Sequence, residues 1–329
     1  MALSPIEEIF HKAALGEDLE QLKQVVNSKD RNNRNKTPLH KASMEGNLKM
    51  VKALILLGAE VDAMSKHGLI PLHLAARDGR TNIVKYFIEK HKTPIESKDS
   101  YGRSPLHYAG SVEVAKYLIQ KEAEIEAKDV DGSTPLHFAG NVEVAKYLIQ
   151  KGAKIEAKDE EGSTPLHKAN FNTGDDISAA KYLIDMGAQI EAKNIHGETP
   201  LHSAAEENFH EMVKHLIERG AQVDARNFNN ETPFDLADRN EHFEIAKYLL
   251  EKKNESEPPN PANNVSDQAP CIICFVPRNG IFALHPCGHA SLCEPCCYKL
   301  KHEEYSKCPS CRKPIRNYKK IFFQEPEME

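Results

Sequence analysis

The chain of 329 residues carries 43 Lys and Arg against 49 Asp and Glu, a formal net charge of −6, and 40% of its residues are hydrophobic. All eight cysteines follow residue 270, so the long cysteine-free part is large enough to hold a core without disulfide staples; its charge of −9 against +3 for residues 271–329 argues against nucleic acid as the main partner. No apolar run approaches the roughly 18 residues of a membrane span, and the N-terminus MALSPIEEIFHKAALG lacks a basic region followed by an apolar one. The expectation is a soluble protein of a reducing compartment with no membrane partner, cytoplasmic with the nucleus left open.

Stacked on itself, the chain repeats: KTPLHKA, LIPLHLA, RSPLHYA, STPLHFA, STPLHKA, ETPLHSA, ETPFDLA, with prolines at 38, 71, 105, 135, 165, 200 and 233. In the unit beginning at Ser133, Thr134 is a good N-cap and Pro135 suits a first helical position, where its missing N–H costs nothing. A second helix then carries Val142, Val144, Ala145, Leu148 and Ile149. Gly152 is placed to end that helix in a left-handed conformation, as are Gly58, Gly187 and Gly220. A polar turn, KDEEG, leads to the next unit. One such unit cannot bury its own apolar faces, so stability must come from stacking.

The TPLHxA signature at this period resembles the ankyrin-repeat family. The resemblance covers residues 1–253, about eight repeats including atypical ends near 1–35 and 231–253, where Asp235 replaces the histidine. It implies that His40, His73, His107, His137, His167 and His202 hydrogen-bond neighbouring turns; they recur about a repeat apart, so none shares a metal and none is catalytic. Two units are only 30 residues long because AG-VEVAKYL lacks three residues that ASMEGNLKMVKAL keeps, which requires a tight turn between their helices. The next unit carries an insertion around NFNTGDD, expected in a loop on the helical side. Substrate-protein contacts are expected at the hairpin tips and adjacent concave face, with Tyr101 and Phe228 the most anchor-like residue types.

Residues 254–270 are rich in Pro, Asn, Ser and Glu and read as a flexible linker. Residues 271–323 form the second domain. Cys271 and Cys274, Cys287 and His289, Cys293 and Cys296, and Cys308 and Cys311 make four ligand pairs, and thiolate and imidazole in this spacing suit tetrahedral zinc, four ligands per ion and therefore two ions. Cys297 breaks the pair-wise rhythm and is left over.

The ordered set, with histidine alone in fourth place, resembles a RING finger of C3HC4 type; a PHD finger would place histidine fifth, and the basic cluster of a FYVE domain is absent. The resemblance implies interleaved ligation: Cys271, Cys274, Cys293 and Cys296 on one ion, and Cys287, His289, Cys308 and Cys311 on the other. Closed sites of this kind hold the fold and leave no position for a substrate. The fold class expected is therefore mainly α, an ankyrin-repeat α-solenoid followed by a small zinc-bound α+β RING domain.

RING domains generally act as ubiquitin ligases by positioning a ubiquitin-charged E2 enzyme. By resemblance, Ile273, Leu300 and Pro309 would contact the E2, and Arg312 would be the linchpin that hydrogen-bonds both E2 and ubiquitin. The His289-x3-Cys293 spacing and the tail with Tyr318, Ile321, Phe322 and Phe323 are similar to RINGs of the inhibitor-of-apoptosis, Neuralized and Mind bomb group. Such a tail pairs two subunits in dimeric members, which keeps a RING homodimer open. The reading is an E3 ubiquitin ligase with E2, ubiquitin and a substrate protein as partners; the alternative is a non-enzymatic scaffold with a structural RING.

Overall fold

The computed structural model describes residues 25–169 and 176–256, with the backbone of two short strands at 282–284 and 289–292. The chain divides into two compact units, 1–249 and 250–329.

In the first unit, each TPLH-type motif opens an inner element and each is followed by an outer helix. The pairs are α1 (Pro38–Glu45) with α2 (Leu48–Leu56) and α3 (Pro71–Arg77) with α4 (Thr81–His91); then 3-10 turns at Pro105–Tyr108 and Pro135–Phe138 with α5 (Val112–Gln120) and α6 (Val142–Gln150). The array continues with α7 (Pro165–Lys168) and α8 (Ser178–Asp185), α9 (Pro200–Glu206) and α10 (His210–Glu218), and α11 (Pro233–Arg239) and α12 (Phe243–Ser256). Inner elements pack on inner elements and outer helices on outer helices, the two-layer solenoid that the periodicity predicts.

The core is a leucine ladder. The inner layer supplies Leu39, Leu72, Leu106, Leu136, Leu166 and Leu201; the outer layer supplies Leu54, Leu118, Leu148, Leu183, Leu216 and Leu249, with Phe87 taking that place in α4. All are essentially inaccessible to water. Burial of each such side chain stabilises by about 2 kcal/mol, and deleting one to alanine costs about 2–5 kcal/mol because the stacked neighbours cannot close the gap.

Six histidines do two jobs each. The Nδ1 of His137 accepts the backbone N–H of Thr134 at 3.0 Å; the same bond runs from Thr37 to His40, Ile70 to His73, Ser104 to His107, Thr164 to His167 and Thr199 to His202. A backbone N–H can only donate, so Nδ1 is unprotonated and the proton sits on Nε2. From there each ring donates to a carbonyl of the next unit: His40 to Leu69, His73 to Ser97, His107 to Ser133, His137 to Ser163, His167 to Glu198 and His202 to Glu231. Burial pushes all six below the usual histidine range, to about 4 for His40, His107 and His167. The bonding role implied by the ankyrin resemblance is thus present in every one. Asp235 performs only the first job, accepting the Thr232 N–H at 2.7 Å. A carboxylate caps the helix but carries no proton to pass to a further unit.

Two further seams join the repeats. Glu96, Glu126, Glu156 and Glu191 each accept a backbone N–H of the following repeat, from Glu124, Lys154, Gln189 and Gln222. Pro94 stands at the corresponding place one repeat earlier and has no N–H to offer. The third seam runs along the hairpin tips and belongs to the site described below.

The glycine ends are as expected: Gly58, Gly152, Gly187 and Gly220 all have φ between 92° and 99°. In the repeat before Gly152 the same place is held by Glu122, at φ 69°. The shortened units take a form that the motif alone does not predict. With three residues missing, their inner elements are single 3-10 turns instead of α-helices, and Gly110 folds against the end of α3, its N–H donating to the Ala76 carbonyl at 3.0 Å. Residues 170–175 of the insertion and residues 1–24 of the first unit lie outside the described residues.

Helix α12 runs to Ser256, three residues into the stretch read as linker, with Lys252 paired to Glu255 at 2.7 Å. The remainder of 254–270 lies outside the described residues. In the second unit β1 (Phe282–Leu284) and β2 (His289–Leu292) form an antiparallel pair in which Phe282 faces Leu292, Ala283 faces Ser291 and Leu284 faces His289. Among the described residues, no helix is long and apolar enough to cross a membrane.

Candidate functional site

The hairpin tips form a continuous ladder, one backbone bond per step. Lys66 donates to Arg34, Ser100 to His67, Val130 to Tyr101, Glu160 to Asp131, Ile195 to Glu161 and Phe228 to His196, all at 2.8–3.1 Å. Four of these tips are also fixed from within by a buried Asx side chain that accepts two backbone N–H groups. Asp99 accepts the N–H groups of Tyr101 and Arg103, Asp129 those of Asp131 and Ser133, Asn194 those of His196 and Glu198, and Asn227 those of Asn229 and Glu231. These loops are pinned at both ends, so the side chains at their crests are presented on rigid backbone.

Four of the crests present an exposed apolar side chain, while the tip between Val130 and Ile195 presents Glu160 and Glu161 instead. Phe228 is 75% exposed, Ile195 57%, Val130 56% and Tyr101 42%. Exposed apolar side chains gathered along one edge are a feature of surfaces that meet other proteins. The two sequence-selected anchors stand in this row, but in different settings. Phe228 lies over Gly197 of the preceding hairpin, where a Cβ would come within 2.7 Å of its ring. Tyr101 stacks on His67 with ring centres 6.0 Å apart, and the Arg103 guanidinium lies 5.3 Å from its ring centre.

Arg103 was not singled out from the sequence. It leads from the tips to a cleft of about 320 Å³ on the inner face, lined by Arg77, Arg103, Tyr108, Phe138, Asn141 and the Ala109–Gly110 backbone among others. The guanidinium sits 4.2 Å from the Phe138 ring centre, and its Nε donates to the buried carboxylate of Asp129 at 3.1 Å. The Tyr108 hydroxyl donates to Asp99 at 2.6 Å, and burial with that carboxylate pushes its pKa upward. Lys168 pairs in the same manner with Asp159 of its own repeat. No local pattern reveals the Arg103 contacts with Asp129 and Phe138, because they cross from one repeat to the next.

In the second unit, His289 opens β2 opposite Leu284, at the end of a hairpin whose intervening residues 285–288 include Cys287. Cys271, Cys274, Cys287, Cys293, Cys296, Cys308 and Cys311 lie outside the described residues, as do Ile273, Leu300, Pro309, Arg312, Cys297 and the tail. The donor set itself, seven thiols and one imidazole in pairs, fits zinc and suits neither calcium nor magnesium, which take oxygen ligands.

Comparison with known proteins agrees with both halves. Residues 55–129, 126–194 and 174–260 match the family of ankyrin repeats, and residues 34–66 match a single ankyrin repeat. Residues 267–318 match the zinc finger of C3HC4 type, the RING finger, a zinc-binding domain. The crystal structure of the human ASB11 ankyrin repeat domain superposes with a TM-score of 0.51 at 25% identity, covering 68% of this chain and all of that one. Alpha-latrotoxin-Lhe1a of Latrodectus hesperus is 39% identical over 74 residues, 22% of this chain and 5% of that protein. The E3 ubiquitin-protein ligase SPL2 of Arabidopsis thaliana is 34% identical over 65 residues, 20% of this chain and 17% of that protein. The chain therefore spans only a small part of these curated relatives. With family matches over more than half its length, it belongs to the ankyrin-repeat family and carries a C3HC4 RING finger at its C-terminal end.

Proposed function

We propose that this protein is a RING-type E3 ubiquitin ligase in which the ankyrin array binds a substrate protein and the RING positions the E2–ubiquitin conjugate. The observation that carries the reading is the pairing, in one chain, of a C3HC4 RING match with a rigid array whose hairpin crests expose Tyr101, Val130, Ile195 and Phe228. The partial similarity to an E3 ligase supports it.

In this reading Cys271, Cys274, Cys293 and Cys296 hold one zinc ion and Cys287, His289, Cys308 and Cys311 a second. Zinc supplies structure, fixing the two loops that meet the E2. Ile273, Leu300 and Pro309 provide the apolar contact to the E2. Arg312, placed directly after the last ligand, bonds both E2 and ubiquitin and holds the thioester in an attack-ready pose. A substrate lysine, as the free amine, forms a C–N bond to the ubiquitin carbonyl as the C–S bond breaks; the E2 cysteine leaves as thiolate, and the amine gives up its proton to solvent. No cysteine of the ligase takes part. The RING acts by orientation alone, which is why a domain without an open metal position suffices.

Incubation of the purified chain with ubiquitin, E1, ATP and a panel of E2 enzymes tests the proposal. Self-ubiquitination with at least one E2 is expected. Inactivity with the whole panel, at full zinc content, would favour the scaffold reading.

A further inference from the structure

Two consecutive repeats each lack three residues, and the structure shows what the loss creates. Their inner elements shrink to the 3-10 turns Pro105–Tyr108 and Pro135–Phe138, and the cleft of about 320 Å³ opens on the inner face where regular repeats carry the last turn of an α-helix. In the regular repeat just before, that turn is Ala76, Arg77 and Asp78. The deletion does not loosen the array, since Gly110 still bonds to Ala76 and both outer helices keep their side-chain N-caps, from Ser111 and Asn141.

The chemistry of the cleft is selective. Its lining contains two guanidinium groups, Arg77 and Arg103, and no carboxylate. Arg103 is held in place by Phe138 and Tyr101 on its faces and by Asp129 on Nε, with the Tyr108 phenol also beside it. A guanidinium fixed in this way forfeits little entropy on binding, and bonding through Nε leaves the other N–H groups of its fork as donors. Arg77 holds its half-buried sequence neighbour Asp78 through two N–H groups, at 2.9 and 3.2 Å, and the remaining N–H groups of its fork are donors for a second carboxylate. Asn141 uses its side-chain oxygen to cap α6, which leaves its NH2 group as a further donor. A cationic side chain entering here would meet like charge, and an apolar one would strip water from two cations without replacing it.

We propose that this cleft is the specificity pocket of the array, taking a carboxylate side chain, Asp or Glu, from an extended substrate segment that lies along the hairpin tips. Tyr101 joins the two surfaces, since it belongs to the exposed row and also packs on Arg103. The proposal rests on the reading of the array as substrate-binding and gives that substrate a chemical class, an acidic peptide with apolar neighbours.

A phage-displayed library of random dodecapeptides, panned on the purified full chain, is the test. Enriched peptides should share an Asp or Glu, and its replacement by Asn or Gln in the synthetic peptide should weaken binding about tenfold or more. Two variants of the protein probe the cleft. Arg77→Glu inverts the charge at an exposed position. Insertion of Ala-Arg-Asp between Ala109 and Gly110 restores the regular repeat length and fills the space. Both should lose about tenfold or more in affinity at unchanged helical circular dichroism. Failure to enrich any peptide, indifference to the carboxylate, or undiminished binding to both variants would overturn the pocket. Self-ubiquitination by the parent chain reports separately on the ligase reading: a chain that binds acidic peptides but transfers no ubiquitin keeps the pocket and loses the ligase.

Discussion

The Nε2 of His137 lies 3.1 Å from the carbonyl oxygen of Ser163, while its Nδ1 accepts the N–H of Thr134; one imidazole thereby closes a helix start and joins two repeats. Protonation destroys the first bond, because a ring N–H cannot accept. Burial, first of all, makes the folded state bind protons on these histidines less readily than the unfolded chain, with His40, His107 and His167 lowered from 6.5 to about 4. Their contribution is fully present above about pH 6.5, and it is lost progressively as pH falls from there to about 4. Urea denaturation of the full chain followed by helical circular dichroism should show a midpoint that drops steeply across this window. A midpoint unchanged from pH 7 to pH 4.5 would contradict the neutral-histidine arrangement.

Glu122 supplies an internal comparison. Residues 112–121 and 142–151 are identical, VEVAKYLIQK, yet the helix of the first is followed by Glu122 at φ 69° and that of the second by Gly152 at φ 99°. Left-handed backbone costs a residue with a Cβ about 1 kcal/mol relative to glycine. Glu122→Gly is expected to stabilise the chain by about that amount in chemical denaturation, and Gly152→Glu to destabilise it similarly.

Gly110 matters for a different reason. Its backbone is not left-handed, but a Cβ there would lie 1.9 Å from the Arg77 carbonyl oxygen, whereas nothing stands within 4 Å of a Cβ at Gly152. Gly110→Ala should therefore force the shortened turn away from α3 and cost about 2–3 kcal/mol. Chemical denaturation measures this directly; a variant as stable as the parent would show that the turn has room to move.

Much of this array is legible along the chain. Thr134 and Pro135 announce a helix start, Gly152 announces a stop, and the recurrence of His137 one repeat apart announces a bond between turns. These features depend on neighbours within a few residues, or on a repeat of fixed length. The reduction of the inner helices at Pro105 and Pro135 to 3-10 turns was only half visible: the missing residues showed in the alignment of repeats, but not the cleft they leave. Glu96 reaching the N–H of Glu124, and Arg103 lodged between Tyr101 and Phe138, were not visible, since such contacts depend on how far one repeat is rotated on the next. In the RING, ligand spacing carries the assignment because thiolate pairs of this kind have few other uses.

Cys297 tests that spacing. The pair-wise rhythm of the sequence assigns Cys296 to the metal and leaves Cys297 over, two and four residues before Lys299 and Lys301. Cys297→Ser should keep two zinc ions per chain by metal analysis and transfer ubiquitin at close to the parental rate, while Cys296→Ser should lose both. A reducible ubiquitin adduct on Cys297, with loss of transfer in Cys297→Ser at full zinc content, would replace the positioning mechanism with a covalent one.

The most direct measurement is the rate at which a purified E2–ubiquitin thioester discharges onto free lysine, with and without this protein. The proposed ligase should accelerate discharge, and Arg312→Ala should reduce that acceleration by about tenfold or more while zinc content and helical content stay the same. No acceleration by the zinc-loaded parent with any E2 tried, or an Arg312→Ala variant as fast as the parent, would contradict the account.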